Sequence, residues 1–220
     1  MVLEVYGNTG SPHCRIVFAV LKHLKIPYEQ KTLDMRNKEH LQADYLKLNP
    51  FHTIPTINDD GFAVFESRAI AVYLIEKYSP DNQLYPNDAK KRAAINRWLY
   101  WDVASFLKSL QSYNGPFLFG NVDKPDEKAA NEILDKVKTL DGLLSQSKYI
   151  NGDNLTLADI GLAITFASIN ATNLDTKPFE NVNKWFNRLE NDLPEVWSEI
   201  IVKPNEMLKK RWTDKLSASK

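Results

Sequence analysis

Gly10-Ser11-Pro12-His13-Cys14-Arg15 joins two segments of different periodicity. Upstream, Leu3 to Tyr6 reads as a strand. Downstream, Pro12 to Leu24 reads as a helix that opens on proline, whose missing N–H costs little in a first turn. Tyr28 to Leu33 alternates like a second strand, so this part of the chain runs β, α, β. Glu39 to Leu48 is helix-like and stops at Asn49-Pro50. Thr53 to Ile57 and Phe62 to Phe65 then read as two short strands around the turn Asn58-Asp59-Asp60-Gly61. Ser67 to Tyr78 follows as a helix, with Ile70, Tyr73, Leu74 and Lys77 at helical spacing. The predicted order is βαβ-α-ββα.

Near residue 80 the character changes. Ser79 to Asp88 holds two prolines and no periodicity, as a linker does, and strand signals are lacking beyond it. An amphipathic segment runs from about Ala89 to Tyr113 and is predicted to end at Gly115-Pro116. Another, Asp126 to Leu144, places Ala130, Ile133, Leu134, Val137, Leu140 and Leu144 on one stripe, and further helical patterns begin at Leu155, Phe179 and Pro194. The fold class is therefore α/β plus all-α: a first domain over 1–79, a linker over 80–88 and an all-helical domain over 89–220.

Composition narrows the function. Lys and Arg number 28 against 28 Asp and Glu in 220 residues, so a net charge of zero presents no overall field to nucleic acid or to an anionic membrane. With 43% hydrophobic residues the chain can bury a substantial core. Its longest apolar run, Ile16 to Leu21, falls far short of the ~18 residues of a membrane span. Glu4 stands where a secretory leader would be basic. The single cysteine, Cys14, allows no intramolecular disulfide and no multi-cysteine zinc site, which fits a reducing compartment; no metal is expected.

Three places can carry chemistry. In a thioredoxin-like βαβ unit, a C-x-x-C redox pair sits where this chain has Ser11-Pro12-His13-Cys14. A serine there cannot shuttle electrons between disulfides. Its hydroxyl can donate to a ligand's sulfur at the positive end of the helix, or it can be a plain N-cap. Cys14, followed by Ile16 and Val17, should face the core. Thr53-Ile54-Pro55-Thr56 opens a strand on proline: a cis bond would let Ile54 offer its backbone to an extended ligand, whereas a trans bond would make this an ordinary edge strand. At Glu66-Ser67-Arg68 a strand passes into a helix, where Ser67 and the first-turn N–H groups suit a carboxylate and Glu66 suits an ammonium.

The three places together resemble the cytosolic glutathione transferases, in particular the serine-type delta and epsilon classes of arthropods. The resemblance covers nearly the whole chain. It is carried by Ser11-Pro12-His13-Cys14-Arg15, by Asn49-Pro50-Phe51-His52-Thr53-Ile54-Pro55-Thr56, by Phe65-Glu66-Ser67-Arg68-Ala69-Ile70 with Tyr73 to Tyr78, by Leu84-Tyr85-Pro86 and by Gly152 to Ile160. It implies a thioredoxin-like N-terminal domain that binds glutathione as co-substrate, an all-α C-terminal domain, a homodimer and a cytoplasmic location. By position, Ser11 matches the catalytic serine that hydrogen-bonds the glutathione sulfur. His52, Ile54 and a cis Pro55 match glutathione contacts, Glu66, Ser67 and Arg68 match the γ-glutamyl end, and His40 sits where a histidine approaches the glycyl carboxylate.

The expected reaction is detoxification-type conjugation to apolar electrophilic small molecules, with peroxidase or dehydrochlorinase chemistry open to the same thiolate. The alternative is a non-catalytic carrier of apolar ligands on the same fold. Phe106, Leu110, Tyr113 and Phe117 are the expected electrophile pocket, the first three sharing a helical face, while Trp98 and Trp101 are expected in the core. Two positions depart from the family pattern: His13, where a small residue or proline is usual, and Phe51, where glutamine is usual. His13 points either into the site or into solvent. Asn154-Leu155-Thr156 matches a glycosylation pattern but reads better as a helix start, with Thr156 as cap and Asp159 at its third position.

Overall fold

The computed structural model describes residues 2–218. Two compact units meet in sequence between Tyr85 and Pro86. In the first, β1 (Leu3–Tyr6), α1 (Pro12–His23) and β2 (Tyr28–Lys31) form the opening βαβ, followed by α2 (Ala43–Leu48), β3 (Thr56–Asp59), β4 (Phe62–Phe65) and α3 (Ser67–Tyr78). The four strands lie in the order β2-β1-β3-β4. β1 pairs parallel with β2 and antiparallel with β3, and β3 pairs antiparallel with β4. This is a thioredoxin-like arrangement.

α1 is buried continuously from Cys14 to Leu21 and packs against α3, whose inward face is Ile70, Ala71, Leu74 and Ile75. Such all-round burial follows from its unbroken apolar run. Gly7, at φ 158°, passes close beneath this helix: a Cβ there would lie 2.8 Å from the Cys14 sulfur.

Two local readings are corrected. Glu39 to Leu48 is not one helix: a 3₁₀ turn over Glu39–Leu41 is separated from α2 by Gln42 in extended conformation. The third strand starts at Thr56 rather than Thr53. Pro55 has no N–H to donate to a ladder, and the Thr53 carbonyl is taken by the Tyr45 hydroxyl and by the Asn49 amide at 3.0 Å.

The second unit is helical: α4 (Ala89–Trp101), α5 (Leu107–Phe119), α6 (Glu127–Leu144), α7 (Leu157–Asn170), α8 (Glu180–Asp192), a short α9 (Pro194–Val196) and α10 (Lys203–Ala218). A π-turn over Asp102–Phe106 joins α4 to α5, and buried Asp102 accepts from the Thr165 hydroxyl at 2.7 Å. α5 does not stop at Gly115-Pro116. Proline removes one intrahelical bond near the end of the rod, while Tyr113 and Phe117 on either side of it pack against the Trp212 ring at 5.2 and 4.6 Å between centroids.

α7 is buried from Leu157 to Ile169. The Asp159 carboxylate accepts from the Ile150 N–H, the Thr156 N–H and hydroxyl, and Trp185 Nε1, all within 3.0 Å. Burial still pushes its pKa up, against the pull of those donors. The Asn154-Leu155-Thr156 stretch thus serves as a helix start.

Candidate functional site

Ser11 is the N-cap of α1, with extended backbone, and its hydroxyl makes no capping bond. It lies instead within hydrogen-bonding reach of the Cys14 sulfur. Cys14 is fully buried, and desolvation raises its thiol pKa to about 11, despite the Asn8 backbone and the Ser11 hydroxyl. Cys14 is thus a neutral thiol in the core, not a nucleophile at neutral pH.

The segment from Asn49 to Thr56 is organised by Asn49, itself completely buried. Its side-chain amide donates to the Thr53 carbonyl and to the Thr56 hydroxyl, each at 3.0 Å, and its side-chain oxygen accepts from the Phe51 N–H at 3.0 Å. That frame holds His52 at φ 50° and the cis Ile54–Pro55 bond. The His52 ring lies 6.0 Å from the His40 ring, and His40 Nδ1 is buried without a hydrogen-bond partner among the described residues.

At the start of α3, Glu66 adopts φ 72°, ψ 105°, a conformation unfavourable for a residue with a Cβ. Ser67 and Arg68 are buried behind it, and Arg68 Nη1 donates to the Ser67 oxygen at 3.0 Å. A hydroxyl that accepts from a guanidinium has its own hydrogen left to donate elsewhere. A cavity of about 190 Å³ is lined by His13, Thr53, Ile54, Pro55, Glu66 and Ser67. Two helix N-termini and the loop before β3 therefore converge on one space inside the first unit.

Residues 10–77 match the model of the glutathione S-transferase N-terminal domain and residues 97–192 that of the C-terminal domain. A solved glutathione transferase of Bombyx mori is 34% identical, with 96% of this chain and 98% of that one covered and a TM-score of 0.90. The chain belongs to the glutathione S-transferase family. A delta-class transferase of Nilaparvata lugens is 33% identical over 99% of this chain and 100% of its own, with a TM-score of 0.88. An epsilon-class transferase of the housefly, Musca domestica, is 32% identical over 97% and 98%, also at 0.88. A transferase homologue of Drosophila mojavensis, solved with bound glutathione, is 28% identical over 97% of both chains.

In this transferase His13, Ile54, Pro55, Glu66 and Ser67 border one cavity, Arg68 braces Ser67, and His40 and His52 face one another. Ser11 stands at the N-cap two residues before His13. His13 is half-buried and is one of the residues lining that cavity. The expected electrophile pocket is corrected: Phe106, Leu110, Tyr113 and Phe117 are each at most 2% exposed and sit in the helical core. Their faces are occupied, Phe106 by Trp101 at 5.2 Å and Tyr113 and Phe117 by Trp212. Trp98 and Trp101, expected inside, are only half-buried. Sequence reasoning also missed Asn49 as the organiser of its loop. The signal was available, for an Asn before proline is a strong local hydrogen-bonding residue.

No helix among the described residues is long and apolar enough to cross a membrane.

Proposed function

We propose that this transferase activates the glutathione thiol at the N-terminus of α1 and conjugates it to apolar electrophiles. The γ-glutamyl end lies at Glu66, Ser67 and the first turn of α3, Ile54 pairs with the cysteinyl backbone, and the glycyl carboxylate lies toward His40 and His52. The observation that carries this reading is the shared cavity, bordered by His13 of α1 and by Glu66 and Ser67 of α3.

A free thiol has a pKa near ~8.5, so only a few per cent is nucleophilic thiolate at neutral pH. Lowering that value by ~2 units needs ~2.7 kcal/mol of preferential stabilisation of the anion. One hydrogen bond to a charged sulfur supplies ~1.5–3 kcal/mol, and a helix N-terminus ~0.3–1 kcal/mol more. Ser11 is placed for this: it is the N-cap of α1, its hydroxyl makes no capping bond, and that hydroxyl can turn to donate to the ligand's sulfur. The thiol proton passes to solvent. The sulfur lone pair then forms the new C–S bond as the leaving group departs with its electron pair.

A homodimer is part of this proposal. Phe51 and Phe62 are 63% and 57% exposed, and apolar surface of that kind suits a second copy of the chain. The catalytic assignment is tested by turnover with an aryl halide. Ser11→Ala is expected to lower kcat about 10- to 100-fold, the equivalent of one charged hydrogen bond, with little change in glutathione affinity. An unchanged kcat overturns the role of Ser11.

A further inference from the structure

His13 is absorbed neither by the family pattern, which has a small residue or proline there, nor by the sulfur chemistry. It is the second residue of α1, and its side chain borders the cavity shared with Glu66 and Ser67 of α3 and with Thr53, Ile54 and Pro55 of the loop before β3. The groups around this space form a set. Ser67 has a hydroxyl hydrogen to donate because Arg68 Nη1 already occupies its oxygen, and the first-turn N–H groups of α3 lie at the same helix end. Glu66 supplies an anionic acceptor. Donors beside one acceptor match a zwitterionic α-amino acid head, with its carboxylate on the donors and its ammonium on the acid. The same cavity is bordered by an imidazole on a different helix.

Burial and the nearby Arg68 guanidinium lower the His13 pKa to about 4. At neutral pH the ring is therefore uncharged, with one N–H donor and one acceptor nitrogen. It can add a directional donor to a space already served by a buried guanidinium, without a second positive charge there.

We infer that His13 is a specificity-determining residue of the γ-glutamyl subsite, donating a hydrogen bond to the α-carboxylate of the glutathione head, a role that presupposes glutathione in the first unit as proposed above. Ligands lacking the γ-glutamyl group have no carboxylate for this donor and gain nothing from it. His13 thus selects for the ligand's amino acid head, while Ser11 acts on its sulfur.

The test is equilibrium binding of two probes, S-hexylglutathione and S-hexylcysteinylglycine, which lacks the γ-glutamyl group, to the wild type, His13→Ala and His13→Gln. Circular dichroism melting checks that each variant is folded. His13→Ala is expected to weaken S-hexylglutathione about tenfold, ~1.4 kcal/mol, and to leave S-hexylcysteinylglycine unchanged. His13→Gln, which keeps an N–H donor, is expected to recover most of the loss. Equal weakening of both probes in His13→Ala overturns the assignment, because a merely structural side chain would act on both alike. No weakening of either also overturns it. A folded wild type that binds neither probe refutes the glutathione reading itself, an outcome distinct from failure at His13.

Discussion

His13 and Cys14 are neighbours in one helical turn whose ionisation is set by burial in opposite senses. The Cys14 thiol is held neutral up to about 11, so the one cysteine of the chain is a packing residue beside Gly7 and a partner for the Ser11 hydroxyl. Burial lowers the His13 pKa from the ordinary 6.5 to about 4, with Arg68 adding to the effect. Between those values the unfolded chain takes up a proton at this position and the folded chain does not, so stability falls as pH drops from 6.5 towards 4. Arg68 opposes protonation of the ring, and Glu66, at the start of the same helix as Arg68, lines the same cavity as His13. The full shift corresponds to about 3 kcal/mol, and solvent at the half-buried ring reduces it to about 2 kcal/mol. Urea unfolding of the wild type and His13→Gln at pH 6.5 and pH 4 isolates this contribution from the carboxylates that titrate in the same range. The wild type should lose about 2 kcal/mol more than the variant over that interval. Equal losses would place His13 in a solvated environment.

At the scale of elements, strength comes from how the polar ends of apolar helices are satisfied. α7 is buried on all sides, and its start depends on Asp159 accepting from two backbone N–H groups, a hydroxyl and an indole. Asp159→Ala would strand those donors in the interior, and the loss in unfolding free energy is expected to be about 4 kcal/mol. A loss below ~1 kcal/mol, within the range of ordinary surface changes, would contradict this account of α7. This helix start was legible because Thr156 and Asp159 lie within one short stretch. The continuation of α5 through Gly115-Pro116 was not, because what holds that turn is Trp212, far later in the chain. The break at Gln42 was equally hidden, since Glu39 to Leu48 keeps helical spacing through a residue whose backbone is extended.

Across the whole molecule, an α/β unit over residues up to Tyr85 carries the candidate site and a helical unit follows it. The fold was readable from the sequence because β and α segments alternate up to Tyr78 and only helical patterns follow. The site was readable because each of its parts is a short contiguous motif at an element's end: Ser11 at α1, Ile54-Pro55 before β3 and Glu66-Ser67-Arg68 at α3. The electrophile pocket was not, because a stripe of aromatics at helical spacing looks the same whether it lines a cavity or fills a core. Phe106, Leu110, Tyr113 and Phe117 fill the core. Function rests on glutathione bound in the first unit, with its thiolate stabilised beside Ser11. The most direct test is an ultraviolet pH titration of bound glutathione, following thiolate absorbance in the wild type and in Ser11→Ala. The bound pKa is expected at least about one unit below the free value of ~8.5 in the wild type, returning towards it in the variant. A bound thiol that titrates at its free value in both proteins would contradict it.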